Sequence, residues 1–213
     1  MKVLGISGSP RKDKTTDRLV REVLGAVDGE TEFISLRGKR IGPCIGCLAC
    51  AGDNICKLDD DMAPLREKLI EADALVIGVP NYFGGINALT HAFFERFYQF
   101  RHRGAMMMAG KPAVIVAVGG VMPDAAARDL ERFFEMNRIE SLGCVTAQGV
   151  AGCFTCGYGE DCAVGAIHGL FGPGTKITEE ITPDLRKQPE AVENARSLAR
   201  RLSHRLREAP LSQ

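Results

Sequence analysis

Eight cysteines fall in two blocks, and their spacing is the part of this sequence best suited to redox or metal chemistry. Cys44, Cys47, Cys50 and Cys56 form C-x2-C-x2-C-x5-C, and Cys144, Cys153, Cys156 and Cys162 follow a hundred residues later. Four thiolates within 13 residues, the first three spaced by two, can wrap one cubane cluster, as the C-x2-C-x2-C run of bacterial ferredoxins does. The fourth cysteine is five residues on rather than three, and Lys57 stands where proline would follow. A fourth ligand that near can cap the same cluster. Gly42, Gly46 and Gly52 give the loop turn freedom. Zinc sites usually join two C-x2-C pairs through a long spacer, which the overlapping triple fits poorly. A metal-free loop, reduced or disulfide-forming, is the stronger rival.

The second block reads C-x2-C-x5-C from Cys153, with Cys144 upstream as a fourth thiol. A second cluster, a redox disulfide and a cysteine-lined lid all remain open for it. Met106, Met107 and Met108 read as apolar packing, because thioethers without other soft ligands make weak metal sites. His91, His102, His168 and His204 are scattered and read as surface or satisfied residues. Arg196, Arg200, Arg201, Arg205 and Arg207 crowd the last helix, where a basic face suits the helix C-terminus. A docking face for an acidic ferredoxin is the rival reading of those arginines.

Three other segments carry chemistry, each just after an apolar run. Ser7-Gly8-Ser9-Pro10-Arg11 leads to Thr15-Thr16 and lacks both the G-x-G-x-x-G and the G-x-x-x-x-G-K-[ST] fingerprints. Hydroxyls, backbone N–H groups, a guanidinium and a helix start suit a monophosphate; an ordinary turn with a Thr N-cap is the rival. Pro80-Asn81-Tyr82-Phe83-Gly84 places aromatic rings on a loop whose glycines permit close approach to a planar ligand. Alternatively, those rings pack on the helix below. Gly119-Gly120 offers backbone N–H groups to polar ring atoms.

The elements that must position these residues alternate. Apolar runs at Val3–Ile6, Glu32–Leu36, Ala74–Val79, Ala113–Val118 and Cys144–Ala147 read as strands. Helical periods lie between them, including Leu19, Val20, Val23, Leu24 and Val27; Met62, Leu65 and Leu69; an aromatic stripe from Leu89 to Phe100; and Leu130, Phe133, Phe134 and Asn137. This order predicts an α/β fold with a five-stranded parallel sheet. Ligands then bind beyond the carboxyl ends of the strands. Residues about 150–188 lack a period and are rich in Gly, Pro and Cys, and a last helix covers about 189–208. We expect residues 1–213 to form a single domain, with a core of about 1–150.

Lys+Arg and Asp+Glu are both 27, a balance that argues against a nucleic-acid binder. Neither a secretory signal nor a transmembrane run of about 18 apolar residues is found, so a cytoplasmic location is expected.

The S-G-S-P-R, P-x-Y-F-G and G-G loops together resemble the flavodoxin-like NADPH-dependent FMN reductase family, over residues 1 to about 150. That resemblance implies a flavodoxin-like three-layer sandwich. It implies FMN phosphate on Ser7, Ser9, Arg11, Thr15 and Thr16. The isoalloxazine would then lie beside Pro80, Asn81, Tyr82, Phe83 and Gly84, with its polar edge at Gly119 and Gly120. The Cys44–Cys56 block, followed by Asp60-Asp61-Met62, is similar to the iron–sulfur flavoprotein branch. Similarity to that branch implies a [4Fe–4S] cluster on Cys44, Cys47, Cys50 and Cys56. It also implies electron exchange with FMN, often that of a neighbouring subunit, hence a homodimer or homotetramer. Ferredoxin or NAD(P)H would be the donor and a small molecule the acceptor. Pairing the two cofactors converts between two-electron and one-electron carriers, with no side chain needed as a catalytic acid, base or nucleophile. The alternatives are a cluster-free NAD(P)H-dependent FMN or quinone reductase, and a non-catalytic thiol redox sensor or electron carrier.

Overall fold

The structure, a computed structural model, describes residues 1–208; the last five residues of the expected 1–213 unit lie outside the described residues. Strands β1 (Lys2–Ser7), β2 (Glu30–Ser35), β3 (Ala74–Tyr82), β5 (Pro112–Gly119) and β6 (Glu140–Gln148) form a parallel path in the order β2-β1-β3-β5-β6. The two-residue β4 (Gly85–Ile86) turns back antiparallel on the end of β3. Both faces of the sheet are covered, so its central strands are apolar on both sides. On β3, Leu75, Ile77 and Val79 join the core beneath α2 (Met62–Glu71), α3 (Ala88–Glu95) and α4 (Pro123–Met136). Ala74 and Val76 face the other core, beneath α1 (Thr15–Gly25) and α6 (Pro189–Glu208). This is the expected three-layer flavodoxin-like sandwich.

The local differences from the sequence reading have simple causes. The first helix ends at Gly25, short of Val27, because Ala26 already leaves helical geometry. The aromatic stripe is α3 followed by a tighter 3-10 turn, Arg96–Phe100. Phe93, Phe94, Phe97 and Phe100 pack beneath the sheet with ring centroids 4.9–5.2 Å apart along the row. The 149–188 segment carries the short helix α5 (Ala166–Phe171) and two 3-10 turns. Among the described residues, no helix is long and apolar enough to cross a membrane.

Candidate functional site

Because β1 connects first to β2 and then, through α2, to β3 on its other side, the helices diverge at the carboxyl ends of β1 and β3. In sheets of this order that point is the expected ligand-binding crevice. The loop leaving β1 is laid into it by hydrogen bonds from Gly8 N to Gly78 O (2.8 Å) and from Asn87 Nδ2 to Gly8 O (2.9 Å). Only glycine fits at position 8, since a Cβ would stand 1.8 Å from Thr90 Oγ1. Ser7 Oγ donates to Asp17 Oδ1 (2.6 Å), and Asp17 Oδ2 accepts from Asp13 N (2.9 Å). Asp17, buried in the first turn of α1, therefore fixes both ends of the loop, and Ser7 serves the loop rather than the open crevice. The Ser9 hydroxyl closes on the Arg11 backbone (3.1 Å). Thr15 lies beside Gly149 while Thr16 packs on Gly78 of β3. Lys14, the N-cap of α1, makes no side-chain cap bond. Backbone donors of the first turn thus lack the usual side-chain acceptor, which suits an anion.

The other two loops meet this one. Pro80 pairs with Val118 across β3 and β5, which sets Asn81 beside Gly119. A Cβ on Gly119 would be 2.7 Å from Val121 O and 3.1 Å from Asn81 Cβ, and one on Gly120 would be 2.7 Å from Ala151 Cβ. Arg11 Nη1 donates to Val150 O (2.6 Å), tying the first loop to the end of β6. Asn81 Nδ2 donates to Val121 O (2.8 Å), leaving its Oδ1 buried without a partner among the described residues. An orphaned acceptor beside two glycine edges fits a flat ligand that carries an N–H. Tyr82 is exposed, and Phe83 is wholly so, on a left-handed residue (φ 53°). Met122, also exposed, is left-handed too (φ 48°). Phe83 is not packed on the helix stripe.

The first cysteine block is held from the outer side of α3 and the turn after it. Glu95 Oε2 accepts from Cys44 N (3.1 Å) and Gln99 Oε1 from Cys56 N (3.0 Å). His102 N donates to Asn54 Oδ1 (2.8 Å), and Arg103 Nη1 to Gly52 O (2.9 Å). Two sulfurs are engaged directly: Cys50 Sγ lies 3.1 Å from His102 Nε2, and Arg96 Nη2 donates to Cys56 Sγ (3.1 Å). Arg96 is buried, with Nη1 on Asp60 Oδ2 (2.5 Å) and on Gly42 O (3.1 Å). Burial alone would lower the guanidinium's pKa, but Asp60 and Cys56 outweigh it and hold it charged. Burial likewise pushes Asp60 up, yet Arg96 and the N–H groups of Met62 and Gly42 bring it below the ordinary carboxylate value.

Among the described residues, no three His, Cys, Asp or Glu side chains are already drawn into a metal-holding arrangement. Cys44 and Cys47 are exposed, Cys50 buried and Cys56 half-buried. Two features nonetheless fit a cluster. Burial pushes the Cys50 thiol up, a backbone hydrogen bond offsets part of this, and Cys56, Cys44 and Cys47 add smaller upward pushes. Arg96, whose Nη2 bonds Cys56 Sγ, has its Nε buried with no partner among the described residues. A groove lined by Pro43, Ile86, Ala88, His91, Ala92 and Glu95 runs from this loop to β4 at the crevice.

A family model described as NADPH-dependent FMN reductase matches residues 1–147. The chain belongs to that family. Within it, the chain falls in the iron–sulfur flavoprotein branch. One iron–sulfur flavoprotein of Methanocaldococcus jannaschii is 43% identical over 122 residues, 56% of this chain and 62% of that protein. The match thus spans less than two thirds of this relative. A second from the same organism is 30% identical over 149 residues, 67% of this chain and 75% of its own. The Trp repressor binding protein of Bacillus subtilis shares the fold, with a TM-score of 0.58 at 22% identity over 92% of this chain and 98% of that one.

The motifs that carry the FMN reductase resemblance do not include the residues that hold the cysteine loop. Glu95, Arg96, Gln99, His102 and Arg103 recur every three to four residues on the face opposite the phenylalanines, so a second, polar period was there to be read. His102 is bonded to Cys50, not merely a satisfied surface residue. Asp17 and Asn87, which seat the first loop, had no signal beyond lying near helix starts.

Cys144 does not join the second block. Its side chain packs on the core beneath α4, where burial, with a smaller push from Glu131, raises the thiol to about 12. Of the three methionines expected to pack, Met108 is buried and Met106 half-buried, but Met107 is exposed. The α6 arginines largely have partners on this chain: Arg196 with Glu22, Arg200 with Glu193, Arg205 with Glu140 and Arg207 with Asp28.

Proposed function

We propose that this chain binds FMN in the crevice and a [4Fe–4S] cluster on Cys44, Cys47, Cys50 and Cys56, and passes electrons between them. When bound, FMN takes up a hydride as a two-electron unit and the cluster moves single electrons. Ser9, Arg11, Thr15, Thr16 and the start of α1 receive the phosphate, with Ser7 holding their loop in place. Pro80, Asn81, Tyr82, Phe83 and Gly84 border the ring, and Gly119 and Gly120 let its polar edge approach the backbone. Arg96 keeps its positive charge beside Cys56, and His102 and Gln99 fix Cys50 and Cys56 from the same side. The observation that carries the cluster reading is buried Arg96, bonded to a cysteine sulfur with one N–H left over. Iron–sulfur hydrogen bonds of this kind tune a cluster's potential. Residues 1–213 act as one unit in this reading, as a homodimer or homotetramer, with NAD(P)H or ferredoxin as donor and a small-molecule acceptor.

Anaerobic purification with iron, acid-labile sulfide, zinc and flavin counted per chain tests the proposal. Four irons, four sulfides and one FMN are expected. Iron-free protein with full NAD(P)H reductase activity would show a cluster-free reductase instead.

A further inference from the structure

The second cysteine block begins against the crevice. Val150 O accepts from Arg11, and Ala151 fills the space that Gly120 leaves open. Two residues further on is Cys153, whose Cα is therefore within about 7 Å of that of Ala151. Gly152–Phe154 is a 3-10 turn, extended by hydrogen bonds from Thr155 N (3.0 Å) and Cys156 N (2.9 Å) to Gly152 O. Thr155 leaves the helical conformation (φ −131°), and the Cys156 N–H on Gly152 O folds the chain back so that Cys156 stays beside the turn that carries Cys153. Cys156 Sγ already reaches back to Cys153 O (3.7 Å).

Each sulfur also receives a backbone donor: Ala166 N–H on Cys153 Sγ (3.2 Å) and Tyr158 N–H on Cys156 Sγ (3.4 Å). Cys156 is exposed and Cys153 half-buried, so one thiol meets solvent while the other faces inward. Little core resists rearrangement here, since Ile167 and Leu185 are the segment's buried aliphatic side chains among the described residues.

From these contacts we propose that Cys153 and Cys156 are a redox-active dithiol that exchanges two electrons with the flavin, and this rests on the FMN site proposed above. In the reducing direction the Cys153–Cys156 S–S bond breaks and each sulfur takes up one electron and one proton. Reduced flavin gives up two electrons and two protons. Cys162, whose sulfur sits beside Gly165, is not needed for the exchange.

The test uses the whole FMN-loaded protein under anaerobic conditions. Diamide oxidation, differential alkylation and peptide mass mapping should give one bridge between Cys153 and Cys156. Photoreduction of the flavin should then open it, with two more electrons taken up per chain than in Cys156→Ser. Cys162→Ser should keep the bridge. Failure to form the bridge, a bridge elsewhere, or one that persists beside fully reduced flavin overturns the proposal. Iron or zinc lost specifically on Cys156→Ser also overturns it, in favour of a metal centre. Flavin absorbance in the same samples separates the two readings. Without bound flavin the FMN site and the exchange both fail, while diamide treatment of flavin-free protein still reports whether the pair can bridge.

Discussion

Replacing Arg96 with Met removes the charge that joins both ends of the first cysteine loop while keeping most of the side chain's length. In the variant Cys56 Sγ, Gly42 O and one Asp60 oxygen each lose a donor. The heaviest loss is at Asp60, whose side chain is only 14% exposed and would keep its charge beside an apolar methionine. Breaking a buried pair by removing one partner costs about 3–5 kcal/mol. Water reaches Asp60 in part, so the lower end applies, about 3 kcal/mol. A domain stable by about 5–15 kcal/mol survives that, but with a clearly lower urea midpoint at unchanged slope. Adding Asp60→Asn to Arg96→Met should recover much of the loss, because no charge is then stranded. The pH dependence carries its own sign. The folded Asp60 pKa lies below its unfolded value, so its contribution is full above about pH 4 and vanishes as pH falls through the folded pKa. Wild-type protein should therefore lose more stability between pH 5 and 3 than Asp60→Asn. An Arg96→Met midpoint within 1 kcal/mol of wild type, or a double variant no better than the single, would refute the reasoning.

Arg11→Ala should weaken FMN binding about tenfold or more, the worth of one charge-assisted hydrogen bond, as read by flavin fluorescence titration. Phe83→Ala should leave the urea midpoint within about 0.5 kcal/mol, because the ring touches solvent, yet change the flavin's absorption envelope or turnover; an unchanged flavin spectrum and rate would remove Phe83 from the site. Gly8→Ala should destabilise by about 1–3 kcal/mol through overpacking on Thr90 and also weaken FMN binding. Cys144, with its thiol raised to about 12, should resist iodoacetamide in folded protein at pH 8 while exposed Cys156 reacts.

The sheet could be read from the sequence because its signal is local. Ala74–Val79 and Ala113–Val118 are apolar at every position, which only a strand covered on both faces requires. Gly8 and Gly119 could be noticed as glycines at strand ends, but not the Thr90 hydroxyl and Val121 carbonyl that exclude a side chain there. Asp60 finds Arg96 36 residues away, and Gly42 finds it 54 away. No window of helical or strand period spans such distances. Arg96 was further masked by its neighbours, since a row of phenylalanines announces a core and the polar residues between them pass for a solvated face.

Residues 81–103 form one continuous stretch from the turn that bears Phe83, through α3, to the side chains that grip the cysteine loop. The helix and the 3-10 turn together are about 22 Å long, and their inner face is locked by four phenylalanines packed mostly edge to face. That rod acts as a ruler. Thermal motion of either surface loop leaves the separation of its two anchor points unchanged. A single residue inserted near Phe94 would rotate everything after it by about 100°, unseating the cysteine loop and turning Phe97 and Phe100 out of the core together.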